Sequence, residues 1–387
     1  MAEFADMACV EMKKVVSYCL IVQAYKGKDD TVVKILVLGG GISTERHVSL
    51  VTATSVCRAL RSLGHKAIFV DMYLGLEDYD KPLAEAFDEP DGFCGEVAVE
   101  KVEPDLQAVI DSRKMKGPSH LGRHVLELCT MADCVFLGLH GEDGEDGKIQ
   151  ATLELLGVPY TGSDALSSAM AMDKVVAKRI MESAGILTPK WSELRYSVED
   201  IPRLVKEIKL PCVIKDPKGG SSIGIALPDT EEELEKALYD LLKYTNRVLV
   251  EEKIVGREMT QPVLDDRYLS TIEIVPPNGG TFDYVAKYQS GDEGAAEICP
   301  ARITEAEHKA MGEAALCFHR ALGLSVYSRT DFIIDAEGRA WCLEVNTLPG
   351  MTPNSLIPKA AKVEGLSYPQ LCEKIVMLSL EERKKHR

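Results

Sequence analysis

Apolar residues along this chain fall first into short unbroken runs and later into helical spacing. Val32 to Leu38 is largely apolar and stops at Gly39-Gly40-Gly41, the pattern of a buried strand that ends in a tight loop. The positions from Val48 to Leu63 predict a helix, with Ser43 or Thr44 as its cap, because a short side-chain oxygen accepts from unpaired backbone N–H groups. Lys66 to Val70 and Cys134 to Leu139 repeat the strand pattern. The second of these leads through a glycine-rich acidic turn into a helix that runs to Leu156. Strand, glycine turn and helix in alternation predict a parallel α/β sheet.

The pattern changes near Ser163. Ala165 to Ala184 reads as one helix closed by Gly185 and Pro189. Cys212 to Lys215, the loop Gly219-Gly220-Ser221-Ser222, a helix over Glu231 to Tyr244 and Val248 to Glu251 form a strand–loop–helix–strand unit. Beyond Glu252, strand-like segments occur at Leu269 to Val275, Thr281 to Tyr288, Thr330 to Ile334 and Trp341 to Val345. Helices are predicted at Glu305 to Leu322 and Tyr368 to Lys384. The expected division is a leader over 1–30, an α/β domain over 31–164, a small central domain over 165–251 and a C-terminal domain over 252–387. In the leader, Lys13 and Lys14 precede an apolar stretch from Val15 to Tyr25. Glu3, Asp6 and Glu11 sit where a signal peptide is basic, and Lys26 to Asp30 offers no small-residue cleavage site, so a packed or flexible leader is the better reading.

Composition narrows the classes. The 387 residues are 45% hydrophobic and 27% charged, globular values with material for two or three domains. No run of about 18 apolar residues occurs, so no membrane span is expected. Sixty-one acids against 45 bases give a net charge of −16, which disfavours nucleic acid as a partner. Eleven cysteines without a C-x-x-C fit reduced thiols of a cytoplasmic protein. His120 and His124 have i,i+4 spacing, but Leu121 stands where H-E-x-x-H needs a glutamate, so they read as ordinary residues.

Three groupings carry candidate chemistry. Lys215 precedes Lys218-Gly219-Gly220-Ser221-Ser222-Ile223-Gly224, where glycines allow a backbone to approach phosphate oxygens and the lysine adds a point charge; a plain turn is the alternative. Glu344 and Asn346 alternate with Leu343 and Val345 and so project from one strand face. Asp331 lies in a preceding strand, joined by a turn at Asp335 to Gly338. An antiparallel hairpin would gather these three oxygen donors into a site for a hard cation, whereas solvated polar positions are the bland reading. Glu251 and Glu252 end a strand at a domain junction, a position suited to the exocyclic amine of a purine.

Seven stretches, in order over nearly the whole chain, resemble the D-alanine–D-alanine ligases of the ATP-grasp superfamily. They are Gly39-Gly40-Gly41-Ile42-Ser43-Thr44-Glu45-Arg46, His140-Gly141-Glu142-Asp143-Gly144-Glu145-Asp146-Gly147, Val158-Pro159-Tyr160-Thr161-Gly162-Ser163 and Ala171-Met172-Asp173-Lys174. The others are Gly220-Ser221-Ser222-Ile223-Gly224, Ala286-Lys287-Tyr288 and the run from Leu343 to Thr352. The resemblance implies a three-domain ATP-grasp fold of mixed α/β and α+β character behind a parallel N-terminal α/β domain. ATP would lie between the last two domains, with Lys174, Lys215 and Lys287 at phosphates, Glu251 at the adenine and Glu258 at the ribose. Ser222, Glu252, Ile254 and Phe282 complete the implied nucleotide site. Asp331, Glu344 and Asn346 would hold two Mg²⁺ or Mn²⁺ ions. Glu45 would take the ammonium of the first of two D-alanines, linked to Ser221 and Tyr288, while Ser355 and Leu356 would orient the second.

The activity so implied is ATP-driven formation of D-alanyl-D-alanine, a peptidoglycan precursor, through an acyl phosphate. Arg329 and the Gly350 N–H would stabilise the oxyanion, and His140 would lie near the second substrate as a candidate for proton transfer, with a structural role as the alternative, in a cytoplasmic homodimer. Gln289 to Ala296 has the composition of a lid. Asp216 and Glu252 depart from the family's usual Pro and Lys, and the 85–125 region, with Pro104, Lys114, Lys116 and Gly117, is longer than expected and reads as a surface excursion. D-Lactate or D-serine as acceptor is the alternative within the family, and a non-catalytic nucleotide-binding regulator the alternative outside it.

Overall fold

The computed structural model describes residues 32–95, 97, 104–220, 224–276 and 295–385, which build three sheets. Strand β1 (Lys34–Gly39) lies between β2 (Lys66–Asp71) and β3 (Cys134–Leu137), both parallel to it. Helices α1 (Arg46–Ser62), α2 (Leu106–Ser112), α3 (Val125–Met131) and α4 (Lys148–Leu155) accompany this sheet. Apart from Lys34, all of β1 is buried, as a parallel strand covered on both faces must be. Neither Ser43 nor Thr44 caps α1, because Glu45 holds that position and the Ser43 hydroxyl donates instead to the His140 carbonyl at 2.8 Å. The described part of the excursion packs on the body of the protein at Arg113. Arg113, 2% exposed, stacks over Tyr73 at 4.6 Å and donates to the Leu121 carbonyl at 2.7 Å. The expectation of reduced thiols is corrected at Cys57 and Cys94, which form a disulfide between α1 and the turn ahead of residue 95; the seven other cysteines among the described residues are free.

The helix expected over 165–184 is two, α5 (Ala165–Met172) and α6 (Lys174–Ser183). Asp173 breaks it at φ −82° and ψ 101°, and its carboxylate caps α6 by accepting from Val175 and Val176 N–H at 3.1 and 3.2 Å. Then follow β4 (Trp191–Arg195), α7 (Ile201–Glu207), β5 (Cys212–Lys215), β6 (Ile225–Ala226), α8 (Glu231–Leu241) and β7 (Arg247–Glu252). Their sheet is antiparallel in the order β4-β7-β5-β6. Ile214, Leu234, Leu238 and Val248 fill its own small core.

The third sheet contains β8 (Arg257–Leu264), β9 (Arg267–Tyr268), β10 (Ile272–Val275) and β11 (Ala296–Ile298). After α9 (Glu305–Ala321) come β12 (Tyr327–Ile334) and β13 (Ala340–Asn346). The order is β11-β10-β8-β12-β13, with β9 on β8. Strand β8 contains Pro262, a residue that disfavours strand interiors; pairing with β10 ends at Thr260, so the proline lies past that neighbour's end. Finally α10 (Leu356–Val363) and α11 (Tyr368–Lys385) return to the first sheet, placing Ile357, Leu371, Ile375 and Val376 in one core with Ile35 and Leu36. The strand expected at 281–288 lies outside the described residues. No helix among those described is long and apolar enough to cross a membrane.

Candidate functional site

The antiparallel pairing of β12 and β13 sets Asp331 opposite Glu344 and Arg329 opposite Asn346, so all four project from one face of the sheet. A register shift falls between Asp331 and Phe332, leaving Leu343 as the extra residue beside the two acids. On the neighbouring strand Thr260 stands across from Asp331, and Glu258 follows two residues away on the same face. The opposite face, with Phe332 and Ile334, belongs to the core under α9. Asp331 is well tied: Thr260 Oγ1 donates to it at 2.6 Å, Arg329 bonds both carboxylate oxygens at 3.1 Å, and Asn346 Nδ2 donates at 3.2 Å.

Two carboxylates and an amide oxygen fit a hard divalent cation completed by phosphate oxygens. Only two of the three donors are acids, and no cluster of three His, Cys, Asp or Glu side chains suited to a metal occurs among the described residues. Basic side chains oppose the acids, Arg329 at Asp331 and Lys174 at Glu344.

Lys174 opens α6 and reaches across to the hairpin, its ammonium 3.3 Å from Glu344 Oε2 and donating to the Gly219 carbonyl at 2.6 Å. The cap and the break at Asp173 aim it there. Lys215, at the end of β5, pairs with Glu251 Oε2 at 2.5 Å. Burial would push the Lys215 ammonium down, but Glu251 and then Glu344 lift it above the usual lysine range. Glu251 is 2% exposed; burial would raise its carboxyl, and Lys215 and Lys178 hold it below the usual range. Lys178, the second partner of Glu251, was not singled out by sequence reasoning, although its i,i+4 spacing from Lys174 puts both on one helix face. Glu252 is exposed, and Ile254 and Glu258 are half-buried. Asp216 accepts from Lys218 N–H at 3.0 Å and so shapes the glycine loop.

A third group lies between the first and last sheets. Glu45 is 9% exposed, and its Oε2 sits so close to Gly141 and Gly220 that a Cβ on either would stand 2.9 or 3.3 Å from it. This carboxylate therefore borders both the His140 loop and the glycine loop. His140 is buried, with Nδ1 2.9 Å from the Leu348 carbonyl and Nε2 3.1 Å from Thr52 Oγ1. A carbonyl only accepts, so Nδ1 carries the proton and Nε2 accepts from Thr52. Burial pushes the ring's pKa down, against the pull of Glu45, and favours this neutral form. Glu145, also missed by sequence reasoning, accepts from Gly141 N–H at 2.9 Å and Leu348 N–H at 3.2 Å. Gly350 abuts Ser355, where a Cβ would lie 3.1 Å from Oγ. Ser355 Oγ accepts from Thr352 N–H at 3.0 Å. Leu356 buries its side chain in the core. Ser221, Ser222, Phe282, Lys287, Tyr288 and all of the expected lid but Ala295 and Ala296 lie outside the described residues.

Comparison with known proteins gives a consistent result. The family model described as D-ala D-ala ligase N-terminus matches residues 34–163, and the one described as D-ala D-ala ligase C-terminus matches residues 180–377. The chain is 38% identical over 344 residues to the D-alanine–D-alanine ligase of Pediococcus pentosaceus, covering 89% of this chain and 97% of that one. It is 37% identical over 352 residues to the namesake of Lacticaseibacillus casei, covering 89% and 94%. The crystal structure of D-alanine–D-alanine ligase from Bacillus anthracis complexed with ATP superposes with a TM-score of 0.68 at 29% identity, over 92% of this chain and 100% of that one.

Proposed function

This chain belongs to the D-alanine–D-alanine ligase family, and from that premise we propose how its residues join two D-alanines. It is an ATP-dependent ligase of ATP-grasp fold whose product serves cell-wall synthesis, and its family uses ATP with a divalent metal. The finer assignments are our reading. The observation that supports them best is the meeting of Lys174 from the central unit with Glu344 of the hairpin at 3.3 Å, which sets phosphate-type and metal-type groups face to face.

Asp331, Glu344 and Asn346 would hold two Mg²⁺ or Mn²⁺ ions, which would supply neutralisation of phosphate charge. Lys174 and Lys215 orient the phosphates, with Lys287 as a third, while Glu251 accepts from the adenine amine and Glu258 from the ribose. Ser222, Glu252, Ile254 and Phe282 line the same nucleotide site. Glu45, supported by Ser221 and Tyr288, fixes the ammonium of the first D-alanine. A carboxylate oxygen of that D-alanine attacks the γ-phosphorus, ADP departs and the acyl phosphate of D-alanine forms; positioning and charge supply most of the rate gain. The free amine of the second D-alanine then attacks the acyl carbon, phosphate leaves and the amine proton is lost. Arg329 and the Gly350 N–H oppose the oxyanion, and Ser355 with the Leu356 backbone N–H takes the second carboxylate. With both nitrogens of His140 engaged, its role is to hold the Leu348 turn beside that substrate. We read the chain as units 31–164, 165–251 and 252–387, and the assembly as a cytoplasmic homodimer.

Phosphate release from ATP, measured with and without D-alanine, tests this reading. Release should require D-alanine and should fall about 10²-fold or more in Glu344→Gln. Undiminished turnover in that variant removes the metal role. Tyr288 favours an amine acceptor over D-lactate, so D-lactate turnover exceeding dipeptide formation at neutral pH would overturn the acceptor assignment.

A further inference from the structure

Lys178 has no part in the roles assigned above, yet it is 0% exposed and charged partners surround its ammonium. It pairs with Glu251 Oε1 and donates to Thr188 Oγ1 at 2.5 Å, and the Thr188 hydroxyl donates to the Cys342 carbonyl of β13 at 2.7 Å. Glu251 thus carries one cation on each oxygen, Lys178 on Oε1 and Lys215 on Oε2. An apolar side chain fills a buried position at lower cost than an ammonium does, so a lysine here calls for a reason beyond packing.

The two cations are not equivalent. Lys215 ends a strand beside the glycine loop and lies in the field of Glu344 and Asp331, so it faces the phosphate side. Lys178 is held at its back by Thr188 and, through Cys342, by β13 itself. If Lys215 turns toward a nucleotide, Glu251 needs a cation that stays. Without one, a 2% exposed carboxylate would be left unpaired, and Lys215 would instead be retained on it.

We propose that Lys178 is a positioning residue for the nucleotide: it is the standing counter-ion of Glu251, which releases Lys215 to engage ATP. The inference rests on the reading above that Glu251 and Lys215 face the nucleotide. It makes ATP affinity depend on a residue that touches no substrate, and it ties Glu251 to the metal-bearing strand through Thr188.

The test is a steady-state cycle on the full chain with Lys178→Met, Glu251→Gln, their combination and Lys178→Arg. Lys178→Met should raise KM for ATP about tenfold, with kcat and KM for D-alanine within about twofold, and Lys178→Arg should recover most of that loss. In the Glu251→Gln background the Lys178→Met change should add nothing, because a neutral amide needs no counter-ion. Should Lys178→Met fail to fold, Lys178→Gln takes its place in the same cycle. An equal rise of KM in both backgrounds, or a loss of thermal stability with unchanged KM, would overturn the inference. Unchanged KM for ATP in Glu251→Gln alone would sink the nucleotide reading of that acid, and the inference with it.

Discussion

Glu145 shows how far a single residue's chemistry is set by its surroundings. Burial, and then the charge of Glu45, raise its carboxyl to about 7, against two backbone N–H donors. Well below the usual carboxylate range the acid is protonated in both folded and unfolded chains and contributes nothing. Between that range and pH 7 only the unfolded chain ionises freely, so rising pH weakens the fold until the native acid ionises as well. Glu145→Gln loses one backbone hydrogen bond at every pH but also this slope. Its melting deficit against the parent should therefore shrink from pH 5 to pH 8, as thermal scans in a buffer series will show; a deficit that grows with pH contradicts the assignment. Sequence could not disclose this residue's role, because its two donors come from Gly141 and from Leu348, the latter 203 positions away. Asp331, Glu344 and Asn346 were legible, since strand alternation and one hairpin turn place them.

At the scale of elements, α6 links capping to nucleotide chemistry. Asp173 accepts from two N–H groups of its first turn and pairs with Arg247 at 2.6 Å. Asp173→Ala should cost about 1–2 kcal/mol of stability in urea unfolding. It should also raise KM for ATP, because Lys174 opens that helix; unchanged KM with lost stability would separate the cap from the site. The one-helix reading of 165–184 failed because Ala, Met, Val and Lys all tolerate helix, and only a capping aspartate marks the break. Strand β8 escaped notice for the opposite reason: Pro262 contradicts a strand locally, and only the end of β10 makes room for it.

Across the whole molecule, the chain's last helices complete the core of its first sheet. Ile375 and Val376 of α11 are fully buried with Ile35 and Leu36, so the first and last units should unfold together. Ile375→Ala should cost about 2–4 kcal/mol and lower one shared calorimetric transition; a shift confined to a separate C-terminal transition would contradict this. No local pattern announces such a return, since the apolar spacing of α11 shows that it packs but not on which sheet. The parallel character of the first sheet was legible from glycine turns, whereas the meeting of three units around one site was foreshadowed only by the family motifs.

Activation of a carboxylate by phosphoryl transfer is the central step at this junction. The most direct measurement supplies D-alanine labelled with oxygen-18 in its carboxylate and analyses the released phosphate by mass spectrometry. One labelled oxygen in each phosphate for each dipeptide formed is the predicted result. Phosphate free of label, with dipeptide still accumulating, would contradict an acyl phosphate and the roles assigned here around it.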